Sequence, residues 1–339
     1  MYFLQYKKII KLKKKVLIFG AAGYIGSILS EYLLSKKYIV ISADNLIYKN
    51  FFSIKNLKVN RNFKFINNQK LSNKKLEKIL SEVDYVVYLA GLVGDPITKK
   101  YPRQSCYHNY KYIVKIINLL KKNLNLQKFI FISTCSNYGL INKNILATEK
   151  QKLKPLSLYA KQKVKIEKKL LLKKNKNVNP IILRFATAFG LSKRMRFDLT
   201  VNQFVKDLYL KKKLLVYDPN TWRPYCHVKD FCRLILIVIK SKNKKIIGQV
   251  FNSGGNKNNF TKIGIVNLIK QRIKKTNITY KKFDVDPRNY KVDFTKVYKI
   301  LKFKPKYSVK YGIDEVLNAL KKNKIKNINS KNIFGNYKI

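Results

Sequence analysis

Acidic side chains are scarce in this chain: 17 Asp and Glu face 74 Lys and Arg, a formal net charge of +57 over 339 residues. Taken alone, that excess points to nucleic acid or an anionic membrane. Two further shortages argue against it. Arginine, whose planar fork suits phosphates and guanines, numbers 9 against 65 lysines, and alanine numbers 9 against 34 asparagines. Lys, Asn, Ile, Tyr and Phe have A/T-rich codons, whereas Ala, Gly, Pro and most Arg codons are G/C-rich. The basic excess therefore reads as the coding bias of an AT-rich genome. The lysines are scattered, with no run longer than Lys13–Lys15 or Lys211–Lys213. Such a surface still predicts weak, salt-sensitive adhesion to RNA, but no specific nucleic-acid partner.

Cysteine is limited to Cys106, Cys135, Cys226 and Cys232, and histidine to His108 and His227. With no CxxC pair and no His-rich neighbourhood, a zinc module and a disulfide scaffold are excluded, no metal site is expected, and a reducing cytosol is the predicted compartment. Apolar runs are short as well. The longest, Leu234–Ile239, is far below the 18 or so residues of a membrane span and reads as a buried strand or helix segment, so no membrane association is expected. The basic start, residues 1–14, reads as an unstructured extension.

Material for a core is ample, since apolar residues make up 46% of the chain. Short apolar runs at Val16–Gly20, Tyr38–Ala43, Phe63–Ile66, Tyr85–Ala90, Phe129–Ser133 and Ile181–Phe185 read as strands. Helical periodicity separates them at Ile28–Leu34, Lys74–Leu80, Tyr110–Leu120 and Tyr159–Leu172. This alternation predicts an α/β fold: a Rossmann-type, doubly wound parallel sheet over residues 15–178. Residues 179–320 read as mainly a smaller α/β substrate-binding domain, with a stretch near 225–250 returning to the first. A Lys/Asn-rich tail, 321–339, is expected to fray.

Two motifs carry chemistry. Gly20, Gly23 and Gly26 in GAAGYIG stand at the first strand–helix junction, where glycines allow a tight turn and the helix N-terminus offers N–H donors to a pyrophosphate. Asp44 closes the next strand, where a carboxylate binds ribose hydroxyls and repels a 2′-phosphate, favouring NAD over NADP. In YAKQK, Tyr159 and Lys163 share a helix face, so a phenol and an ammonium enter one site. YxxxK alone is weak in a chain so rich in Tyr and Lys; its position one step after the strand ending in Ser133, Thr134, Cys135 and Ser136 gives it weight.

These motifs, with YLAGLVGDP at Tyr88–Pro96, ISTCSNYG at Ile132–Gly139, LRFATAFG at Leu183–Gly190, RPYCHVKD at Arg223–Asp230 and DPRNYKVDF at Asp286–Phe294, resemble the extended short-chain dehydrogenase/reductases, specifically the NAD-dependent epimerase/dehydratase family acting on nucleotide sugars. The resemblance runs from about Lys15 to Leu320. It implies that Gly20, Gly23, Tyr24, Ile25 and Gly26 face the NAD pyrophosphate, Asp44 and Asn45 the adenosine ribose, and Ala90, Gly91 and Asn109 the cofactor cleft. It makes Thr134 the catalytic hydroxyl, Tyr159 the acid/base and Lys163 the nicotinamide-ribose ligand. Thr134, Ser136, Thr187, Arg223 and Arg288 would bind substrate, the arginines clamping its diphosphate.

Departures from the family pattern also inform. Its 4,6-dehydratases carry an Asp-Glu pair where this chain has Cys135 and Ser136, so dehydration is not expected. Cys135 reads as a packed thiol, and His108 and His227 as structural. Gln69 stands near the usual adenine-binding Asp, altering that contact, and Tyr88 replaces a common His, a packing change. The resulting expectation is a cytoplasmic, homodimeric, NAD-dependent nucleotide-sugar epimerase working through a transient 4-keto sugar. An NAD(P)H-dependent reductase of a keto sugar, a dinucleotide-sensing or structural superfamily member and a polyanion binder remain the alternatives.

Overall fold

The computed structural model describes residues 13–339 except 143–144, 283–288, 329 and 331–332. The first twelve residues of the expected N-terminal extension, and Asp286 and Arg288 in the expected substrate loop, lie outside the described residues.

The chain opens with β1 (Lys15–Phe19), α1 (Tyr24–Ser35) and β2 (Ile39–Asp44), followed by β3 (Phe63–Asn67), α2 (Asn73–Ser81), β4 (Tyr85–Tyr88), α3 (Tyr112–Leu120), β5 (Lys128–Thr134), α4 (Leu158–Leu171) and β6 (Pro180–Phe185). After an excursion come α5 (Val228–Lys240) and β7 (Val250–Ser253). The seven strands form one parallel sheet in the order β7-β6-β5-β4-β1-β2-β3. The order reverses between β1 and β4, so a crevice opens at the carboxyl ends of those strands. This is the expected doubly wound fold, extended by β7.

The central strands β1, β4 and β5 are mainly apolar because both faces of the sheet are covered there. Val16 and Ile18 of β1, with Ile130 and Ile132 of β5, enter one core; Leu17, Phe19, Phe129 and Phe131 enter the other. The period of two thus splits each run between two helix layers. Leu234–Ile239 lies within α5, which packs beside α1. At its end, buried Lys128 donates to the carbonyls of Ile239 (2.6 Å) and Ser241 (2.7 Å), a cation set against the negative end of the helix. Burial pulls that ammonium down to about 8. Lys128 and Lys163 are the buried lysines among the described residues, so the other described lysines lie at least partly in solvent.

Segments after residue 187, other than α5 and β7, build a cap over the carboxyl ends. Its strands Thr187–Phe189, Trp222–His227 and Asn259–Thr261 form a small mixed sheet. The helices Thr200–Tyr209, Lys262–Lys270 and Val309–Lys321 share a third core with it. The expectation of a frayed tail is not met by residues 333–339. Phe334 is buried, sets its ring edge against Phe197, and its carbonyl accepts from Phe197 N at 2.7 Å. Two aromatic rings removed from water hold this segment although its neighbours are lysines and asparagines.

Candidate active site

A cavity of about 660 Å³ runs along the carboxyl ends of the sheet, between the loops after β1, β2, β4 and β5 on one side and the cap on the other. It brings together Gly20, Gly23, Tyr24, Ile25, Gly26, Asp44, Asn45, Ala90, Gly91, Thr134, Ser136, Tyr159, Lys163, Thr187 and Arg223.

The glycine turn is forced by contact. Gly20 has φ +80°, and a Cβ there would lie 2.7 Å from Ala90 N; a Cβ at Gly26 would lie 2.2 Å from Gly20 O. Both obstacles are backbone and cannot swing aside. No side chain caps the N-terminus of α1 at Gly23. Asp44, buried at the end of β2, accepts from Ala22 N (3.0 Å) and Leu46 N (2.8 Å), and so also braces the turn from behind. Burial raises its pKa, while those two amides oppose the shift.

Asn109 sits in a short π-helical turn, Tyr107–Lys111, beside the cleft. Its Oδ1 accepts from Leu92 N (2.8 Å) and its Nδ2 donates to Leu92 O (3.0 Å), pinning the loop after β4. It is a positioning group, and it is not among the lining residues. Tyr24 lines the cavity, but its phenol is occupied elsewhere: it donates to Gly190 O at 2.5 Å and accepts from Asn202. Its side chain is thus a bolt between α1 and the cap, leaving the backbone to face a ligand.

Tyr159 and Lys163 project from α4, which starts at Ser157, whose hydroxyl accepts from Ala160 N. The Lys163 ammonium lies 5.8 Å from the Tyr159 ring centroid, donates to Ile132 O at 2.7 Å and covers the Phe131 ring at 4.7 Å. Thr134 ends β5, its hydroxyl accepting from Ser136 N. Electrostatics differ from the simple expectation that the lysine lowers the phenol. Burial pushes the Tyr159 phenol up; Arg196 pulls it down, and Asp95 and Tyr290 push it further up. Burial drives Lys163 itself down to about 7, against the pull of Glu167. Desolvation outweighs the pair's attraction in the free protein.

That shift has a stability consequence. Lys163 has a folded-state pKa below its ordinary 10.5, so its burial penalty is full below about pH 7 and fades between about 7 and 10.5. Lys163→Met should therefore make the cofactor-free protein more stable than wild type at pH 6, the gap narrowing as pH approaches 10. Denaturant unfolding across that range checks this; a variant no more stable than wild type at pH 6 contradicts it.

On the far wall, Ser136 Oγ lies 3.3 Å from Tyr290 OH, and the Arg223 guanidinium covers the Tyr290 ring at 5.3 Å while donating to Trp222 O. Cys135 is a packed thiol, as expected, donating to Arg184 O, with burial pushing its pKa up. Behind the strand, Arg184 and Glu167 form a buried ion pair at 2.7 Å, joined by Ser133 and Asn137.

His227 is structural. Its Nδ1 accepts from Lys229 N, so Nε2 carries the proton and donates to Glu315 at 2.9 Å. Against the effect of burial, His227 and Lys229 hold the Glu315 carboxyl down to about 2. The stability this adds is complete above the ordinary carboxyl pKa of 4.5 and is lost as pH falls toward 2. Glu315→Gln should cost about 2–3 kcal/mol at pH 7, with the gap to wild type closing in acid. A pH-independent gap in denaturant unfolding contradicts this. His108 lines the cavity, and burial lowers its pKa.

Sequence reasoning missed several lining residues. Asn68, not Gln69, reaches the cavity; its Nδ2 donates to Tyr112 OH, and its buried Oδ1 has no partner among the described residues. Arg194, Arg196, Asp198 and Asn336 also line it. Arginine scarcity could have flagged the first two. Tyr88 packs its ring against Phe19 and Phe129, and its buried hydroxyl, like Tyr48 OH and Arg194 Nε, has no hydrogen-bond partner among the described residues. A cleft with a glycine cradle, an uncapped helix end and orphaned polar atoms fits a long polar ligand such as a dinucleotide.

Fold and cleft together define a nucleotide-binding protein of the Rossmann type. The family model described as the NAD dependent epimerase/dehydratase family matches residues 16–254, and the chain belongs to that family. It is 30% identical to the uncharacterized UDP-glucose epimerase YtcB of Bacillus subtilis, over 88% of this chain and 95% of that one. It is 26% identical to a UDP-glucuronate 4-epimerase of Thermodesulfobacterium geofontis, over 91% of this chain and 96% of that one. The crystal structure of UDP-glucuronic acid 4-epimerase from Bacillus cereus, with UDP-glucuronic acid and NAD, superposes with a TM-score of 0.78 at 28% identity, over 91% of this chain and 99% of that one. The chain is accordingly an enzyme, and NAD is its cofactor.

Proposed function

We propose that this protein is a 4-epimerase of a uridine-diphosphate sugar, with NAD held and recycled in place. The carrying observation is the content of the catalytic wall. Tyr159 and Thr134 offer hydroxyls for proton transfer, while the two positions after Thr134 hold a buried thiol and a serine, neither able to do the acid/base work of eliminating water. The kinship with UDP-sugar epimerases supports the uridine nucleotide and C4.

Gly20, Gly23, Ile25, Gly26 and the backbone at Tyr24 would hold the pyrophosphate, Asp44 and Asn45 the adenosine ribose, Asn68 the adenine, and Lys163 the nicotinamide ribose. NAD, when bound, supplies the oxidant that takes up and returns the hydrogen of the reacting carbon. Tyr159 accepts the proton of the C4 hydroxyl and later gives it back; Thr134 hydrogen-bonds the same oxygen. Ser136 and Thr187 bind the sugar, and Arg223, with Arg288, the diphosphate. The ketone must turn within the cleft before the hydrogen returns to its other face.

We further propose that residues 15–185, with α5 and β7, form the cofactor unit and that the cap forms the substrate unit. The active form would be a cytosolic homodimer paired through α4. Leu158, Leu171 and Leu172 are exposed there beside the exposed Lys161, Lys165 and Lys168, so dimerisation should strengthen with salt. The four cysteines stay free thiols, which suits the cytosol. No described helix is long and apolar enough to cross a membrane.

The test is incubation of the pure protein with UDP-glucose, UDP-glucuronate and their GDP and dTDP counterparts. Products are separated by ion-exchange chromatography, because epimers share one mass. C4 epimers without net NADH formation support the assignment. Stoichiometric consumption of added NADH with a keto-sugar substrate would replace it by the reductase.

A further inference from the structure

Segment 333–339 holds a single charge, Lys338, after a stretch dominated by lysine and asparagine, and it returns to the cavity edge. Asn336, 6% exposed, bridges two walls. Its Oδ1 accepts from the Arg194 guanidinium at 2.9 Å, on the cap loop after Thr187–Phe189. Its Nδ2 donates to Val93 O at 3.1 Å, on the loop after β4 that Asn109 pins. Its backbone N–H reaches Asp198 Oδ2 at 3.4 Å, and Asp198 is bidentate to Arg196. Phe334 anchors the segment on Phe197. Arg194 lies over the Tyr48 ring at 4.4 Å; burial and the nearby Arg196 lower its pKa to about 10, so it remains a cation at neutral pH. Glycine carbonyl, asparagine amide and aromatic face thus fix one guanidinium above a cleft that also holds Asp44 and Tyr159.

We propose that segment 333–339 is a strap closing the cleft over the bound dinucleotide, with Asn336 as the positioning residue that clasps the cap loop to the cofactor loop. The clasp joins elements that must part for a ligand as long as NAD to leave, so it governs cofactor release more than proton transfer. This rests on NAD occupying the cleft as set out above. It gives a physical reason for a cofactor retained through many turnovers: the two side-chain hydrogen bonds of Asn336, one of them to a cation, must break together.

The experiment measures NAD release without any sugar. Wild type, Asn336→Ala and a chain shortened by residues 333–339 are loaded with radiolabelled NAD, and loss of label is followed after dilution into unlabelled NAD. Two such hydrogen bonds correspond to release about 10–30-fold faster in Asn336→Ala, and at least as fast in the shortened chain. Asn336→Asp, which keeps the Arg194 partner, should recover part of the loss. Equal release from wild type and Asn336→Ala overturns the strap, as does a fall in thermal stability with release unchanged. A wild type that sheds NAD within seconds overturns the retained-cofactor reading as well, so the two failures are distinguishable.

Discussion

Tyr159→Phe should lower kcat by about 10³-fold, within the range of a lost general acid/base, while NAD stays bound in the same stoichiometry. The ring packing survives the change and only the proton acceptor is lost. Lys163 is tied to Ile132 O, not to the phenol, so the cofactor ligand should stay in place. Because the lost interaction belongs to the transition state, KM should move little and kcat/KM should fall with kcat. Phenol titration also matters. Burial pushes the Tyr159 proton affinity up, with Arg196 the leading opposing charge among this chain's residues, so activity in wild type should rise toward alkaline pH. Full turnover in the phenylalanine variant would remove Tyr159 from the chemistry.

Gly26→Val should abolish NAD binding. Its Cβ would stand 2.2 Å from Gly20 O and 2.7 Å from Ala21 Cα, both backbone, so the turn itself must deform. The uncapped amides at the start of α1 would then lose their alignment to a phosphate. Purified variant should carry no NAD and show no activity, and added NAD should not raise its melting temperature, as ligand linkage requires for wild type. The sheet should survive, because β1 enters both cores through residues upstream of the turn; far-UV circular dichroism checks that. NAD retained by the variant would contradict the cradle.

Six strands of the parallel sheet were legible because each holds a short, mainly apolar run, as in Val16–Phe19 and Phe129–Ile132, whereas β7, Val250–Ser253, is half polar and carries no such signal. That Thr134, Tyr159 and Lys163 line one cleft was legible because a strand end and an i, i+4 pair place their side chains by local geometry alone. What escaped was orientation and return contacts. Nothing local says that the Tyr24 phenol turns away to Gly190, or that Asn68 rather than Gln69 enters the cleft, since a one-residue shift at a strand end changes the face. The docking of Phe334 and Asn336 spans too few residues for any periodicity. Lys163 shows the limit of charge counting: an ammonium expected to lower a phenol is itself brought to about 7 by burial. Burial sorts the basic residues by type. Four of the nine arginines, Arg184, Arg194, Arg196 and Arg223, are buried, against only Lys128 and Lys163 among the described lysines.

The central claim is transfer of the C4 hydrogen away from the sugar and back within one closed site. UDP-sugar carrying deuterium at C4 tests it most directly, with both epimers read by proton NMR in ordinary water. The account predicts that the epimer forms with deuterium still at C4, without NADH release and without solvent hydrogen at that carbon. An epimer carrying solvent hydrogen at C4, or a stable keto product with NADH in solution, would contradict it.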